Sequence, residues 1–213
     1  MLKIARRALL AASVAFALAL HPAASLAQGV NLDELHAPGQ LGEKVLGPAD
    51  APVTVVEYAS FTCPHCAFFH NTIFDDFKLK FIDTGKVRFI FREFLRNGAD
   101  VGVSAVARCA PADRYFDVVD AYFSTQDDWL KEGDLRQAIL DKATAFGFSE
   151  ASFNACLQNK ALLEALDAGM QRAQSFGVTG TPTFFVNGEK QVGALSIEEW
   201  EAIIEPLVAA AGE

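Results

Sequence analysis

Two blocks of strand-like pattern, separated by a long stretch with only helical spacing, constrain this chain most. The first block opens with "VTVVEY", Val53 to Tyr58, a compact β-branched run that reads as a strand. Helical spacing starts near Cys63 and puts Phe69, Ile73, Phe77 and Phe81 on one side. "VRFIF", Val87 to Phe91, supplies a second strand. Such a βαβ unit predicts two parallel strands joined by a right-handed crossover. From Asp100 the pattern is wholly helical. Tyr115, Val119, Tyr122 and Phe123 share one face; Leu135, Ala138, Ile139 and Phe146 share a second; Leu163, Leu166 and Met170 mark a third. Pro111, Gly133 and Gly147 punctuate these segments.

After Gly177 strands return. "TFFVNGEKQV" is a short strand, an Asn187-Gly188 turn and a partner strand. Ser196 and Glu199 then stand in capping-box positions. Trp200, Ile203, Ile204, Leu207 and Val208 follow at the spacing of an amphipathic closing helix. The order predicts an α/β fold of the thioredoxin-like kind with an inserted α-helical subdomain. Residues 53–97 and 177–213 form the α/β part, 98–176 the insert, and 28–52 a loose lead-in.

Residues 1–27 read as a cleavable export signal. Lys3, Arg6 and Arg7 precede an apolar run from Ala8 to Leu20, and Ser25 and Ala27 offer the small residues that a signal peptidase reads, so cleavage is expected after Ala27. The run is short for a membrane span, which needs about 20 apolar residues. The signal holds three of the 18 Lys and Arg and no acid, so the exported chain carries 15 basic against 27 acidic residues, a net charge near −12. That balance argues against a nucleic-acid partner. Export to the periplasm also places all four cysteines, Cys63, Cys66, Cys109 and Cys156, where disulfides persist.

"SFTCPHCAFFH", Ser60 to His70, concentrates the chemistry. With the helix starting at Cys63, Pro64 takes the first helical position, where its missing N–H costs nothing. Cys63 then faces unsatisfied amides and the positive end of the helix dipole, and His65 can add a donor or a charge; all favour a thiolate. Cys66 lies one turn on, close enough for a disulfide. The ring is too small to restrain the unfolded chain much, so the pair is a poor staple and a good redox switch. A Cys63 value about 3 units below ambient pH would favour the reduced form by about 4 kcal/mol, making the disulfide some 90 mV more oxidising. A rival reading takes Cys63, Cys66 and His70 as Zn or Cu ligands on one helix face; Pro64 and the helix edge suit a dithiol better. No metal and no cofactor beyond the Cys63–Cys66 disulfide is expected.

Other residues support this site with alternatives left open. Glu57 at the strand end is either a buried carboxyl that relays protons to Cys66 or a glutamate facing solvent. Thr181-Pro182 before a strand is either a cis turn, whose exposed backbone pairs with an extended substrate, or an ordinary loop proline, and the local sequence favours the latter. Cys109 and Cys156 are buried free thiols or, in an oxidising compartment, a structural disulfide worth about 4 kcal/mol. Phe61, Phe68 and Phe69 fill the core or line a groove for unfolded chains. Arg92 and Arg96 read as a charged strand end and loop.

Together, "VVEYASFTCPHC" (Val55 to Cys66) and "GVTGTPTFFVNG" (Gly177 to Gly188) resemble the DsbA family of exported thiol–disulfide oxidoreductases. The helical insert also falls where that family has one, and C-P-H-C is the choice associated with its oxidase members. The resemblance implies that Cys63 is the exposed, attacked sulfur, Cys66 its buried partner, and His65 a stabiliser of the Cys63 thiolate. It implies that Glu57 is the buried acid assisting proton transfer, that Pro182 is a cis-proline facing the disulfide, and that Thr181 contacts substrate. A Cys109–Cys156 bridge resembles a variant of some branches, while His70 departs from the acid of the best-known member. The implied substrates are reduced, unfolded exported polypeptides. The implied reoxidant is a quinone-linked membrane partner, and the implied state is a monomer. Competing readings are a disulfide isomerase or reductase of the same fold, and a metal-binding protein using the same cysteines without turnover.

Overall fold

The computed structural model describes residues 30–212; the export signal read at 1–27 lies outside the described residues. Five strands form one mixed sheet: β1 (Lys44–Leu46), β2 (Val53–Ala59), β3 (Val87–Glu93), β4 (Thr183–Val186) and β5 (Glu189–Val192), in the order β1-β3-β2-β4-β5. β2 and β3 are parallel, from Val53 opposite Val87 to Ala59 opposite Glu93, as the βαβ pattern predicts. The remaining pairs are antiparallel. β2 is buried on both faces, which is why it reads as a continuous apolar run. Val53, Val55 and Ala59 enter one core cluster and Val56 and Tyr58 the other, so consecutive side chains serve opposite sides of the sheet.

Helices cover both faces. α1 is Leu32–His36, α2 Pro64–Thr72, α3 Phe74–Phe77, α4 Gly98–Cys109, α5 Tyr115–Ser124, α6 Gln126–Trp129, α7 Leu135–Ala143, α8 Glu150–Leu157, α9 Lys160–Ser175 and α10 Ile197–Ala211. The helix expected from Cys63 onward is not continuous. It breaks at Ile73 (φ −124°), resumes as α3, and passes into a π-helical turn over Lys78–Ile82. The wider turn changes the register yet keeps Phe77, Phe81 and Ile82 buried against the sheet. Phe69 packs on Phe184 with centroids 4.9 Å apart, and Phe184 and Phe77 each lie 4.9 Å from the Trp200 ring of α10. The predicted capping box of Ser196 and Glu199 starts that helix. The Asn187-Gly188 turn joins β4 to β5 with φ of 45° and 91°, values that favour these two residues.

The lead-in is more ordered than its composition suggests. Asn31 caps α1, and β1 adds an antiparallel edge to β3. Three residues are too few to show alternation. Gly47 follows β1 at φ +85°, where a Cβ would stand 2.3 Å from Val87 O. Arg92 departs from its reading as a charged strand end. It is 9% exposed and donates to Tyr58 Oη, to Leu35 O and to both carboxylate oxygens of Glu43. Burying a guanidinium requires such full pairing, and the pairing fastens the lead-in to β3. Next to it, Glu93 accepts from Arg108 and from Tyr115 Oη, tying α4 and α5 to the same strand end. Cys109 and Cys156 form a disulfide with Cα atoms 6.3 Å apart, joining the end of α4 to α8.

Candidate active site

β2 ends at Ala59, and the chain turns through Ser60–Cys63 into α2. Cys63 is the N-cap, with Pro64 at the first helical position and Cys63 O accepting from the Cys66 and Ala67 amides at 3.1 Å. The first turn of α2 thus leaves its free amides around the Cys63 sulfur. Both cysteines are free thiols; Cys63 is 4% exposed and Cys66 is sealed. The Thr181–Pro182 bond is cis, which overturns the ordinary loop proline that the local sequence favours. The turn sets Thr181 O 3.1 Å from Cys63 Sγ, which donates to it.

The two sulfurs are driven in opposite directions. Cys63 is lowered from the ordinary value of 9.0 to about 5. The largest cause is a hydrogen bond from the Cys66 thiol; burial opposes it, and the Thr181 hydroxyl and the amides of Cys66 and His65 add to it. That hydroxyl is buried and makes no hydrogen bond among the described residues, which leaves it free to turn toward the sulfur. Cys66 is pushed well above 9.0, first by burial, then by its bond to Cys63 and by the nearby charge of Glu57. The His65 side chain is exposed, and it is the His65 amide that acts on Cys63.

Glu57 is fully buried, so the solvent-facing alternative falls away. Its carboxylate meets His70 Nε2 at 3.0 and 3.2 Å. His70, read from the sequence as sharing a ligand face with the two cysteines, is instead engaged with this carboxylate and stacks on Phe123 at 4.4 Å. Phe61 and Phe69 are core residues, whereas Phe68 stands 52% exposed on α2.

Two supports were not legible in the sequence. Asp100 of α4, 1% exposed, accepts from Ser60 Oγ (2.9 Å), Thr62 N (2.9 Å), Thr62 Oγ1 (3.2 Å) and Arg96 N (2.8 Å), fixing the loop before Cys63. Gln126, in the insert, donates from Nε2 to Phe61 O at 2.8 Å and to Cys63 O at 3.0 Å. Asp100 reads locally as a first-turn acid and Gln126 as an ordinary helix residue. Only tertiary contact reveals either role.

Residues 40–206 match the family model described as thioredoxin. The chain belongs to the thioredoxin family. Among curated relatives it is 36% identical over 170 residues to a Rickettsia bellii protein that carries the name protein-disulfide oxidoreductase, covering 78% of this chain and 64% of that one. It is 28% identical over 176 residues to disulfide bond formation protein D of Bacillus subtilis, covering 79% of this chain and 78% of the relative. This chain therefore spans less than two thirds of the Rickettsia bellii relative's length. Among solved structures, alpha-DsbA1 of Wolbachia pipientis superposes with a TM-score of 0.76 at 29% identity, over 85% of this chain and 98% of that one. The fold is that of thioredoxin-family proteins of the DsbA type.

Proposed function

We propose that this chain is a thiol–disulfide oxidoreductase that introduces disulfides into exported polypeptides. The opposite displacement of Cys63 and Cys66 across one helical turn carries the reading. In the oxidised protein, a substrate thiolate attacks Cys63 Sγ. The Cys63–Cys66 bond breaks, and its electron pair passes to Cys66 Sγ, which takes up a proton. A second substrate thiolate then attacks the substrate sulfur of the mixed disulfide, and Cys63 leaves as the thiolate. The substrate loses two electrons and the protein gains them. A sulfur with a value of about 5 is a good leaving group at neutral pH. At pH 7 its ionisation favours the reduced form by at most about 2.7 kcal/mol, equivalent to about 60 mV, and screening by nearby solvent trims that figure.

Pro182 and the Thr181 main chain form the wall on which an extended substrate rests, and exposed Phe68 offers it an apolar contact. Pro64 starts α2 without an N–H to satisfy, and the His65 amide faces the Cys63 sulfur. The cycle then calls for reoxidation by a quinone-linked membrane partner in the periplasm, with the protein acting as a monomer. Among the described residues no helix is long and apolar enough to cross a membrane. The deciding measurement is the reduction potential against glutathione, taken with metal content and with turnover of a reduced model substrate. A potential well above that of thioredoxin, about −270 mV, supports the oxidase. A thioredoxin-like value supports a reductase instead, and stoichiometric metal with no turnover supports a binding protein.

Titration gives an independent check. The folded-state value of Cys63 lies below its ordinary one, so the reduced fold gains stability as pH rises from about 5 towards 9. That gain is lost as pH falls through about 5. Cys66, raised in the fold, acts oppositely only above pH 9.0. The oxidised protein has neither titration. Denaturant unfolding of both forms across pH 5 to 9 is expected to show the reduced-minus-oxidised stability rising with pH; a flat difference contradicts the assignment.

A further inference from the structure

We infer that His70 is a positioning residue for proton delivery to Cys66: it holds the buried Glu57 carboxyl and exchanges its protons with an open cleft beside the C-terminal end of α2. The inference rests on the oxidoreductase reading above and deepens it. When substrate opens the Cys63–Cys66 bond, the electron pair arrives on a sulfur with no exposed surface. Burial and the Glu57 charge both disfavour a Cys66 thiolate, so bond breaking needs a proton there. Glu57 is the acid whose charge acts on Cys66, but it too is fully buried and cannot refill from solvent unaided.

His70 supplies the missing link. It lies one turn beyond Cys66 on α2, is 8% exposed, and holds both Glu57 oxygens through Nε2. Its ring is clamped between Phe123 (4.4 Å, 15°) and Phe74 (4.9 Å, 39°), with the Phe91 ring edge-on at 5.7 Å. An imidazole fixed in this way keeps one nitrogen on the carboxyl and leaves Nδ1 for exchange. The same residue lines a cleft of about 490 Å³ whose charged groups are Asp75, Lys78, Arg114, Asp117 and Asp120. That cleft brings solvent to the edge of the ring.

During substrate oxidation the proton moves inward. Glu57 gives its proton to Cys66 Sγ as the S–S bond breaks; His70 returns one from Nε2 to Glu57; solvent in the cleft protonates Nδ1. One proton crosses from solvent to sulfur, and no electron leaves the cysteines and their substrate. Reoxidation runs the relay backwards.

The test is the pH–rate profile for opening of the oxidised protein by a small dithiol, for wild type, His70→Gln, Glu57→Gln and the double variant. Glutamine retains a hydrogen bond to its partner and cannot carry a proton through. Expected is a loss of about tenfold in each single variant between pH 6 and 8, no further loss in the double variant, and an unchanged alkylation midpoint for Cys63. His70→Gly supplies a second readout, because added imidazole is expected to restore its rate with dose. A His70→Gln rate and pH profile equal to wild type, additive losses in the double variant, or no rescue by imidazole overturns the inference. Wild-type protein inert toward dithiol and substrate alike sinks the oxidoreductase reading itself, a different outcome from an active wild type matched by His70→Gln.

Discussion

Cys63→Ser is expected to reduce oxidation of a reduced model substrate to the uncatalysed rate. Serine fills the same space at the head of α2 but cannot form the disulfide that is handed on, and Cys66 cannot substitute for it because its sulfur is sealed in the core. The companion variant separates chemistry from electrostatics. Cys66→Ala leaves a lone Cys63 thiolate that can attack the disulfide of an oxidised substrate, displacing one substrate sulfur as a thiolate, yet removes the neighbour that would release it, so mixed disulfides with oxidised substrate should accumulate and be visible on non-reducing gels. It also removes the largest cause of the low Cys63 value, the hydrogen bond from the Cys66 thiol. The pH midpoint for alkylation of Cys63 should then move up from about 5 by about one unit or more. A midpoint unmoved by Cys66→Ala would show that the helix amides and Thr181 alone hold the thiolate. Substrate turnover surviving in Cys63→Ser would remove this site from the reaction.

The second large effect concerns stability. Cys109 and Cys156 are 47 residues apart in sequence. Closing a loop of that length is worth about 4 kcal/mol by chain entropy. Replacing both cysteines with alanine should therefore lower the unfolding free energy by about that amount and the Tm by about 8–16 °C. The sulfur of Cys156 packs with Ala105, Leu162 and Leu166, so loss of contact adds to the entropic term. The Cys63 alkylation midpoint is expected to stay put, because that disulfide lies at the far end of α4 from the loop that Asp100 holds. Calorimetry or denaturant titration of the double variant checks the first expectation. A loss under about 1 kcal/mol would mean that the insert's packing alone holds α4 to α8.

Much of this architecture was legible from local rules. β2 and β3 announce themselves by β-branched runs, the β4–β5 turn by Asn187-Gly188, and α10 by its capping box, because each signal is written in neighbouring residues. The same holds for Cys63 and Pro64, whose places at the helix edge follow from the backbone chemistry of the first turn. What stayed hidden depends on distant partners. Glu57 could face either way until His70 was placed beside it, and Pro182 could be an ordinary proline until its cis bond brought Thr181 to the sulfur. Arg92 looks like a surface charge because nothing nearby in sequence reveals Glu43 and Leu35 as its acceptors. Asp100 and Gln126 are invisible for the same reason: their partners in the Ser60–Cys63 loop lie 38 to 65 positions away. The π-helical turn after α3 was missed because apolar spacing alone does not report a shifted hydrogen-bond register.

The sheet's two borders bear on what such a protein must tolerate. β1 has only three residues, and β5 presents Glu189 and Lys190 to solvent over a four-residue length. Short, charged margins make poor templates for a stray strand. A protein whose proposed clients arrive unfolded, with their own backbone amides unpaired, can thus release them after sulfur exchange instead of recruiting them into a growing aggregate.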